Sequence, residues 1–340
     1  MIIQLKHEIS RDLIDQINSR LGVFGFKSTE VQTQSARYLV AIGNVEIDIR
    51  QIGCMSGVKD VHHVSDVYKL VSRKWKAAPT SIQIADDVSI KEGAFNIIAG
   101  PCAFESAEQI QSIVTFLSAR GVKLLRGGAF KPRTSPYAFR GLGIEGLKLA
   151  HSIAHKHQML VVSEVMEISQ IGEMHDYIDV YQVGARNTQN FSLLHELGKV
   201  DKPILLKRGM SGTIEELLQS AEYIFASGNE KIILCERGIR TFEDAYRNTL
   251  DLNAVPLLKE KSHLPVVVDP SHGIGIRRYV SDLALAAIMA GADGVIFETH
   301  ATPEKALSDG AQTLNFLEAD RLITQLQETF AFRKCLKAVL

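Results

Sequence analysis

The sequence predicts an α/β chain, a (β/α)8 TIM barrel preceded by a small ferredoxin-like α+β domain. Three observations carry that expectation. First, along residues 97–298 short apolar runs stop at charged or metal-binding residues, and helical stretches follow. The runs end in Gly100-Pro101-Cys102, Arg126-Gly127-Gly128, Ser163-Glu164, Gly184-Ala185-Arg186, Lys207-Arg208-Gly209, Glu236-Arg237-Gly238, Asp269-Pro270-Ser271-His272 and Glu298-Thr299-His300. Reactive groups after every strand suit a barrel, whereas a doubly wound sheet gathers its ligands at one crevice. Second, the first 70 residues break that rhythm and read β-α-β-β-α-β, the ferredoxin-like order. Third, 340 residues accommodate one barrel of ~250 residues and one small module.

In the module the expected elements are a strand over 2–6, a helix over 9–21, strands over 23–33 and 37–42, a helix over 45–52 and a strand over 58–64. So short a module buries little core alone, so it is expected to pack against the barrel or another subunit. Residues 1–70 form the module and 71–80 a linker, leaving 81–340 for the barrel. The barrel part opens with a hairpin, 81–85 and 88–90 around Asp86-Asp87, placed to plug its lower end. Barrel strands are expected over 97–99, 122–125, 160–162, 180–183, 204–206, 232–235, 266–268 and 295–297, with helices such as 107–120, 214–227 and 242–252 between them.

A formal net charge of -1 excludes the basic surplus of a nucleic-acid binder. The most apolar helical stretch, 283–290, is too short to cross a bilayer, and the start of the chain lacks the apolar core of a signal peptide. Four widely spaced cysteines form no disulfide framework. A cytoplasmic, reduced protein is expected. Its cations are nevertheless uneven. Arg126, Lys131, Arg133, Arg186, Lys207, Arg208 and Arg237 all fall at or just after strand ends, so they should crowd one mouth and favour a small, multiply anionic ligand.

Cys102, His272, Glu298 and Asp309 lie at or beyond the first, seventh and eighth strands, which become neighbours when the barrel closes. A thiolate, an imidazole and two carboxylates suit Mn²⁺, Fe²⁺, Co²⁺ or Zn²⁺ better than Ca²⁺. Lys131-Pro132-Arg133-Thr134-Ser135 sets a rigid proline between two cations and a hydroxyl pair, a preformed anion clamp. Two other features read as decoys. Gly141-Leu142-Gly143-Ile144-Glu145-Gly146 has dinucleotide-site spacing, but the preceding strand ends too early, near Arg126. His151 and His155 lie one helical turn apart on what reads as a solvated face without an acidic partner.

With Gly100-Pro101-Cys102, Lys131-Pro132-Arg133-Thr134, Gly184-Ala185-Arg186, Lys207-Arg208-Gly209, Asp269-Pro270-Ser271-His272 and Lys305-Ala306-Leu307-Ser308-Asp309-Gly310, the chain resembles type Iβ 3-deoxy-D-arabino-heptulosonate 7-phosphate (DAHP) synthases over essentially its whole length. The resemblance implies condensation of phosphoenolpyruvate with erythrose 4-phosphate and water, the first step of the shikimate pathway. It implies metal ligands Cys102, His272, Glu298 and Asp309. Arg126, Lys131, Ala185, Arg186, Lys207 and Arg237 would hold phosphoenolpyruvate, and Arg133 and Thr134 the phosphate of erythrose 4-phosphate. Glu164 would position the attacking water. Lys131, flanked by Arg126 and Arg133, could protonate the nascent alkoxide. In relatives the module carries feedback inhibition within a tetramer. The resemblance therefore also implies a homotetramer with an aromatic amino acid effector, tyrosine or phenylalanine.

Three alternatives stay open at this point. A 3-deoxy-D-manno-octulosonate 8-phosphate synthase would use arabinose 5-phosphate, but it carries an Asn between the cations of the second loop where this chain has Pro132. A Schiff-base aldolase would use Lys207 as nucleophile and leave the metal quartet idle. An amino-acid-binding regulator with an inactive barrel would show a broken clamp or ligand set, and neither is broken.

Overall fold

The computed structural model describes residues 1–131, 137 and 139–337. The module comprises β1 (Ile2–Leu5), α1 (Arg11–Val23), β2 (Lys27–Gln32), β3 (Arg37–Ile42), a single turn α2 (Arg50–Gly53) and β4 (Val58–His62). Its antiparallel sheet has the order β2-β3-β1-β4, the ferredoxin-like arrangement. Two of the expected boundaries move. Val23 ends α1 rather than opening a strand, because the chain turns at Phe24 and at Gly25, whose φ of 81° is left-handed. The second helix shrinks to one turn, with Asp48 accepting the Arg50 amide at 3.0 Å.

Strand alternation gives the module sheet two apolar faces. Ile3, Leu5, Leu39 and Ala41 pack with Ile14, Ile17 and Leu21 of α1. Ile2, Val31 and Tyr38 face the other way and join the main core. The module thus docks on its own barrel. Tyr38 meets Phe225 edge-on at 6.2 Å, and Ser35 donates to Glu230 at 2.7 Å. The backbone amides of Lys69, Leu70 and Val71 all donate to the Glu222 carboxylate, at 2.9, 2.9 and 3.0 Å.

The hairpin β5 (Ile82–Ala85) and β6 (Val88–Ile90) leads into the barrel. There β7 (Asn96–Gly100), α3 (Ala107–Ser118), β8 (Leu124–Arg126), α4 (Gly143–Lys156), β9 (Leu160–Val165), α5 (Ile168–Met174) and β10 (Val180–Val183) make the first half. The second half is α6 (Phe191–Leu197), β11 (Ile204–Lys207), α7 (Ile214–Ala226), β12 (Ile232–Glu236), α8 (Ala254–Lys261), β13 (Val266–Val268), α9 (Pro270–Ile274), α10 (Arg277–Ala290) and β14 (Gly294–Glu298), followed by α11 (Phe316–Lys337). β7 through β14 close as one parallel barrel in which β13, β14 and β7 are consecutive neighbours. Among the described residues no helix is long and apolar enough to cross a membrane.

Inside the barrel Ile98, Leu124, Val162, Val180, Leu205, Ile233, Val267 and Ile296 form one apolar cluster with Ile82, Val88 and Ile90 of the hairpin. The hairpin sits at the N-terminal ends of the strands, where Asn96 donates to Ser89 O at 3.0 Å and Lys123 pairs with Asp87 at 3.2 Å. The helix expected over 242–252 is absent. That stretch is an irregular loop with an antiparallel bridge between Ile239 and Thr249. Its polar groups are taken by tertiary partners: Asn248 donates to His272 O at 2.9 Å, and Asp251 pairs with Arg208 at 2.9 Å. These bonds override a helical spacing.

One buried histidine ties linker to barrel. His263 Nε2 donates to Leu70 O at 2.8 Å, so its Nδ1 accepts from Thr80 Oγ1 at 2.7 Å. Burial, reinforced by Lys76, lowers its pKa from 6.5 to about 3, so the ring is neutral when folded. The unfolded chain then binds the extra proton between those two values, and stability falls as pH drops through that window. The fall approaches 1.4 kcal/mol per pH unit for this group. Thermal unfolding of wild type and His263→Gln checks this. The gap between them should narrow steadily from neutral pH down to about pH 4, and a constant gap would refute the assignment.

Candidate active site

Strand parity positions the functional side chains. Residues alternate between the barrel interior and the helical layer, so the side chain two beyond an inward apolar residue also points inward. Inward Leu124, Val162, Leu205, Ile233, Val267 and Ile296 are therefore followed by Arg126, Glu164, Lys207, Cys235, Asp269 and Glu298. Arg237 follows Cys235 on the same parity, and Cys102 follows Ile98 and Gly100.

Cys102 Sγ and carboxylate oxygens of Glu298 and Asp309 all lie within 4.8 Å of one another. Cys102 Sγ is 3.2 Å from Asp309 Oδ2 and 3.1 Å from Ser308 Oγ. Asp309 has a left-handed φ of 51°, a conformation costing about 1–3 kcal/mol in a non-glycine residue, and Thr313 Oγ1 holds its carbonyl at 2.9 Å. His272 borders this trio, its Nε2 3.5 Å from Glu298 Oε1. Its Nδ1 is 2.7 Å from Asp269 Oδ2, and the same carboxylate takes the ammonium of Lys207. A carboxylate behind an imidazole is the arrangement that orients a metal-bound histidine. Asp269 lay in a motif read from the sequence yet received no role there; its inward parity was the signal.

The electrostatics of this group suit a cation. Burial, then Glu298, pushes the Cys102 thiol up to about 12. Burial alone would raise Glu298 and Asp269 too. His272 and Arg126 outweigh it at Glu298, and His272 and Lys207 hold Asp269 well below the usual carboxylate range. A thiol and carboxylates packed together with an imidazole at their edge form a donor set that fits a divalent transition metal. The residues present fit the group.

Above them a cavity of about 100 Å³ is lined by five predicted cations, Arg126, Lys131, Arg186, Lys207 and Arg237, and by Arg247. Glu164, Ala185, His272 and Asp309 complete its predicted lining. An adjoining cavity of about 350 Å³ shares Ala185, Arg186 and Met210 with it. Gly184 permits the approach of Glu164, since a Cβ there would lie 2.0 Å from Oε1. Arg126 NH1 donates to Glu298 Oε1 at 2.8 Å, while its buried Nε has no partner among the described residues. Lys131 Nζ donates to Cys102 O at 3.1 Å. Among the described residues Lys131, Arg186 and Arg237 form no ion pair with a carboxylate, so their charge is available to an anion. Burial, and Arg247 against the pull of Asp269, lowers the pKa of Arg237.

Arg208 departs from expectation. It is buried outside the cavity, its NH1 2.9 Å from both Glu236 Oε2 and Asp251 Oδ2. The parity that sends Lys207 inward sends its neighbour outward. His155 also differs, because its Nε2 meets Asp179 Oδ2 at 3.0 Å. Arg133 and Thr134 lie outside the described residues. Arg247 was missed because its loop was read as a helix.

The sequence profile of the DAHP synthetase I family matches residues 76–334. A phospho-2-dehydro-3-deoxyheptonate aldolase of Thermotoga maritima is 53% identical over 271 residues, 80% of this chain and 80% of its own. A 2-dehydro-3-deoxyphosphooctonate aldolase of Syntrophobacter fumaroxidans is more distant, 32% identical over 251 residues, 68% of this chain and 86% of its own. The crystal structure of a Thermotoga maritima phospho-2-dehydro-3-deoxyheptonate aldolase (DAHP synthase) superposes with a TM-score of 0.77 at 46% identity, covering 96% of each chain. With the eight-stranded barrel and most of its length matched, the chain belongs to the DAHP synthetase I family.

Proposed function

We propose that the chain condenses phosphoenolpyruvate with erythrose 4-phosphate and water to give DAHP and inorganic phosphate. The observation that carries this reading is one cavity in which carboxylate-free cations stand over a thiol–carboxylate–imidazole group. The octulosonate alternative belongs with the more distant relatives.

Cys102, His272, Glu298 and Asp309 would hold the divalent ion on which this family generally depends, a borderline one such as Mn²⁺, Fe²⁺, Co²⁺ or Zn²⁺. When bound, that ion supplies Lewis acidity toward an aldehyde oxygen. Arg126, whose Nε has no partner among the described residues, joins Lys131, Ala185, Arg186, Lys207 and Arg237 in gripping the carboxylate and phosphate of phosphoenolpyruvate. Arg133 and Thr134 take the phosphate of the sugar. Holding both anions together turns a bimolecular encounter into a positioned one, in which C3 of the enol bonds to the aldehyde carbon. Glu164 orients the water that adds at C2, and Lys131 gives its proton to the former aldehyde oxygen. Loss of phosphate from C2 then completes the reaction. Residues 1–70 serve as a regulatory domain for tyrosine or phenylalanine, 71–80 as linker and 81–340 as catalytic barrel, in a cytoplasmic homotetramer.

Phosphate release from phosphoenolpyruvate, measured with erythrose 4-phosphate or arabinose 5-phosphate before and after chelation, tests the reading. The four-carbon sugar should support turnover, chelation should abolish it, and added divalent ion should restore it. Preference for the five-carbon sugar would overturn the substrate assignment.

A further inference from the structure

Gln312 is buried, and its two ends are spoken for. Arg247 NH1 donates to Gln312 Oε1 at 2.6 Å. A guanidinium has no acceptor, so this contact fixes which end of the amide is oxygen. Nε2 is thereby left to donate to Glu298 Oε2, at 2.7 Å. The other oxygen of Glu298, Oε1, takes Arg126 NH1 at 2.8 Å. Each carboxylate oxygen therefore has its own donor, and the plane of the group is set from two sides.

The same loop also braces the turn that carries His272. The Arg247 amide donates to Ile274 O at 3.1 Å, and Asn248 Nδ2 donates to His272 O at 2.9 Å. The Arg247 side chain lies over Gly275, where a Cβ would come within 2.5 Å of it. The loop that replaces the expected helix thus contacts two of the four proposed ligands' surroundings.

We propose that Arg247 and Gln312 are positioning residues acting through Glu298: Arg247 fixes the Gln312 amide, and the amide fixes the carboxylate that ligates the metal. This rests on the metal site proposed above. Because Arg247 also lines the cavity and its NH1 lies 3.9 Å from Asp309 Oδ1, its rival roles are a direct grip on an anionic substrate and a direct hold on Asp309.

The test is titration of the full-length wild type, Q312M, R247M and the double variant with Mn²⁺ against a chelating fluorophore. Q312M keeps length and volume but loses the amide, and it should weaken Mn²⁺ binding roughly 10–100-fold, the usual range for partners behind a metal ligand. R247M should weaken it by a smaller factor. Acting through one another, the two changes should not add, so the double variant binds no worse than Q312M; a further loss in the double variant would mean that Arg247 acts directly on Asp309 and would overturn the relay. Should Q312M misfold by circular dichroism, Q312N, whose arm is one methylene too short to span both partners, should show the same loss. Wild-type affinity in a folded Gln312 variant overturns the proposal. So does R247M that raises a substrate KM with Mn²⁺ affinity intact, which would make Arg247 a substrate ligand. If wild type itself binds no Mn²⁺, the metal site falls first, which separates the two failures.

Discussion

Cys102→Ala is expected to leave the barrel folded and remove at least about three orders of magnitude from turnover. The residue is small and buried, touching Ser308 and Asp309, so losing one sulfur costs the fold little, on the order of 1 kcal/mol. Its proposed ligand role is another matter. Lewis-acid assistance is worth several kcal/mol in a condensation of this kind, and about 4 kcal/mol corresponds to roughly 10³ in rate. The charge balance of the site points the same way, since Glu298 and Asp309 would then face each other with the imidazole alone to share an ion. Phosphate release and bound metal after dialysis should fall together. Turnover within tenfold of wild type at undiminished metal content would remove Cys102 from the ligand set.

The second large effect is on stability rather than chemistry. Arg208→Met should cost roughly 3–5 kcal/mol, the usual consequence of leaving a buried charge unpaired. Glu236 is fully buried and relies on Arg208, with Asp251 competing for the same guanidinium and Gly212 O accepting from its Nε at 3.0 Å. Burial already pushes Glu236 above the usual carboxylate range, and Arg208 is the main force opposing it. Such a loss is a large fraction of the 5–15 kcal/mol typical of a domain. Denaturant unfolding should show the drop while the folded enzyme keeps its KM for phosphoenolpyruvate. A variant as stable as wild type but poor in substrate binding would reverse the assignment.

The contrast between Lys207 and Arg208 shows how far the sequence could be read. Strands were legible because apolar runs broken by glycine and proline have few other readings, and all eight were anticipated near their observed positions. Strand-end residues followed, because a closed barrel gathers them at one rim. Neighbouring cations could not be told apart by proximity alone, although counting inward positions from Leu205 would have separated them. The stretch 242–252 was misread for a deeper reason. Its spacing suits a helix, but Asn248 and Asp251 bond to partners distant in sequence, which no local pattern reveals. Gln312 was invisible on the same account, since its importance lies in Arg247 and Glu298 on either side.

The inward aliphatic side chains of the strands, backed by Ile82, Val88 and Ile90 of the hairpin, make the barrel a blind alley. With its floor stoppered by aliphatic side chains, reactants and products must share a single doorway. A departing phosphate retraces the route by which the next phosphorylated reactant arrives, so emptying and refilling the chamber cannot overlap.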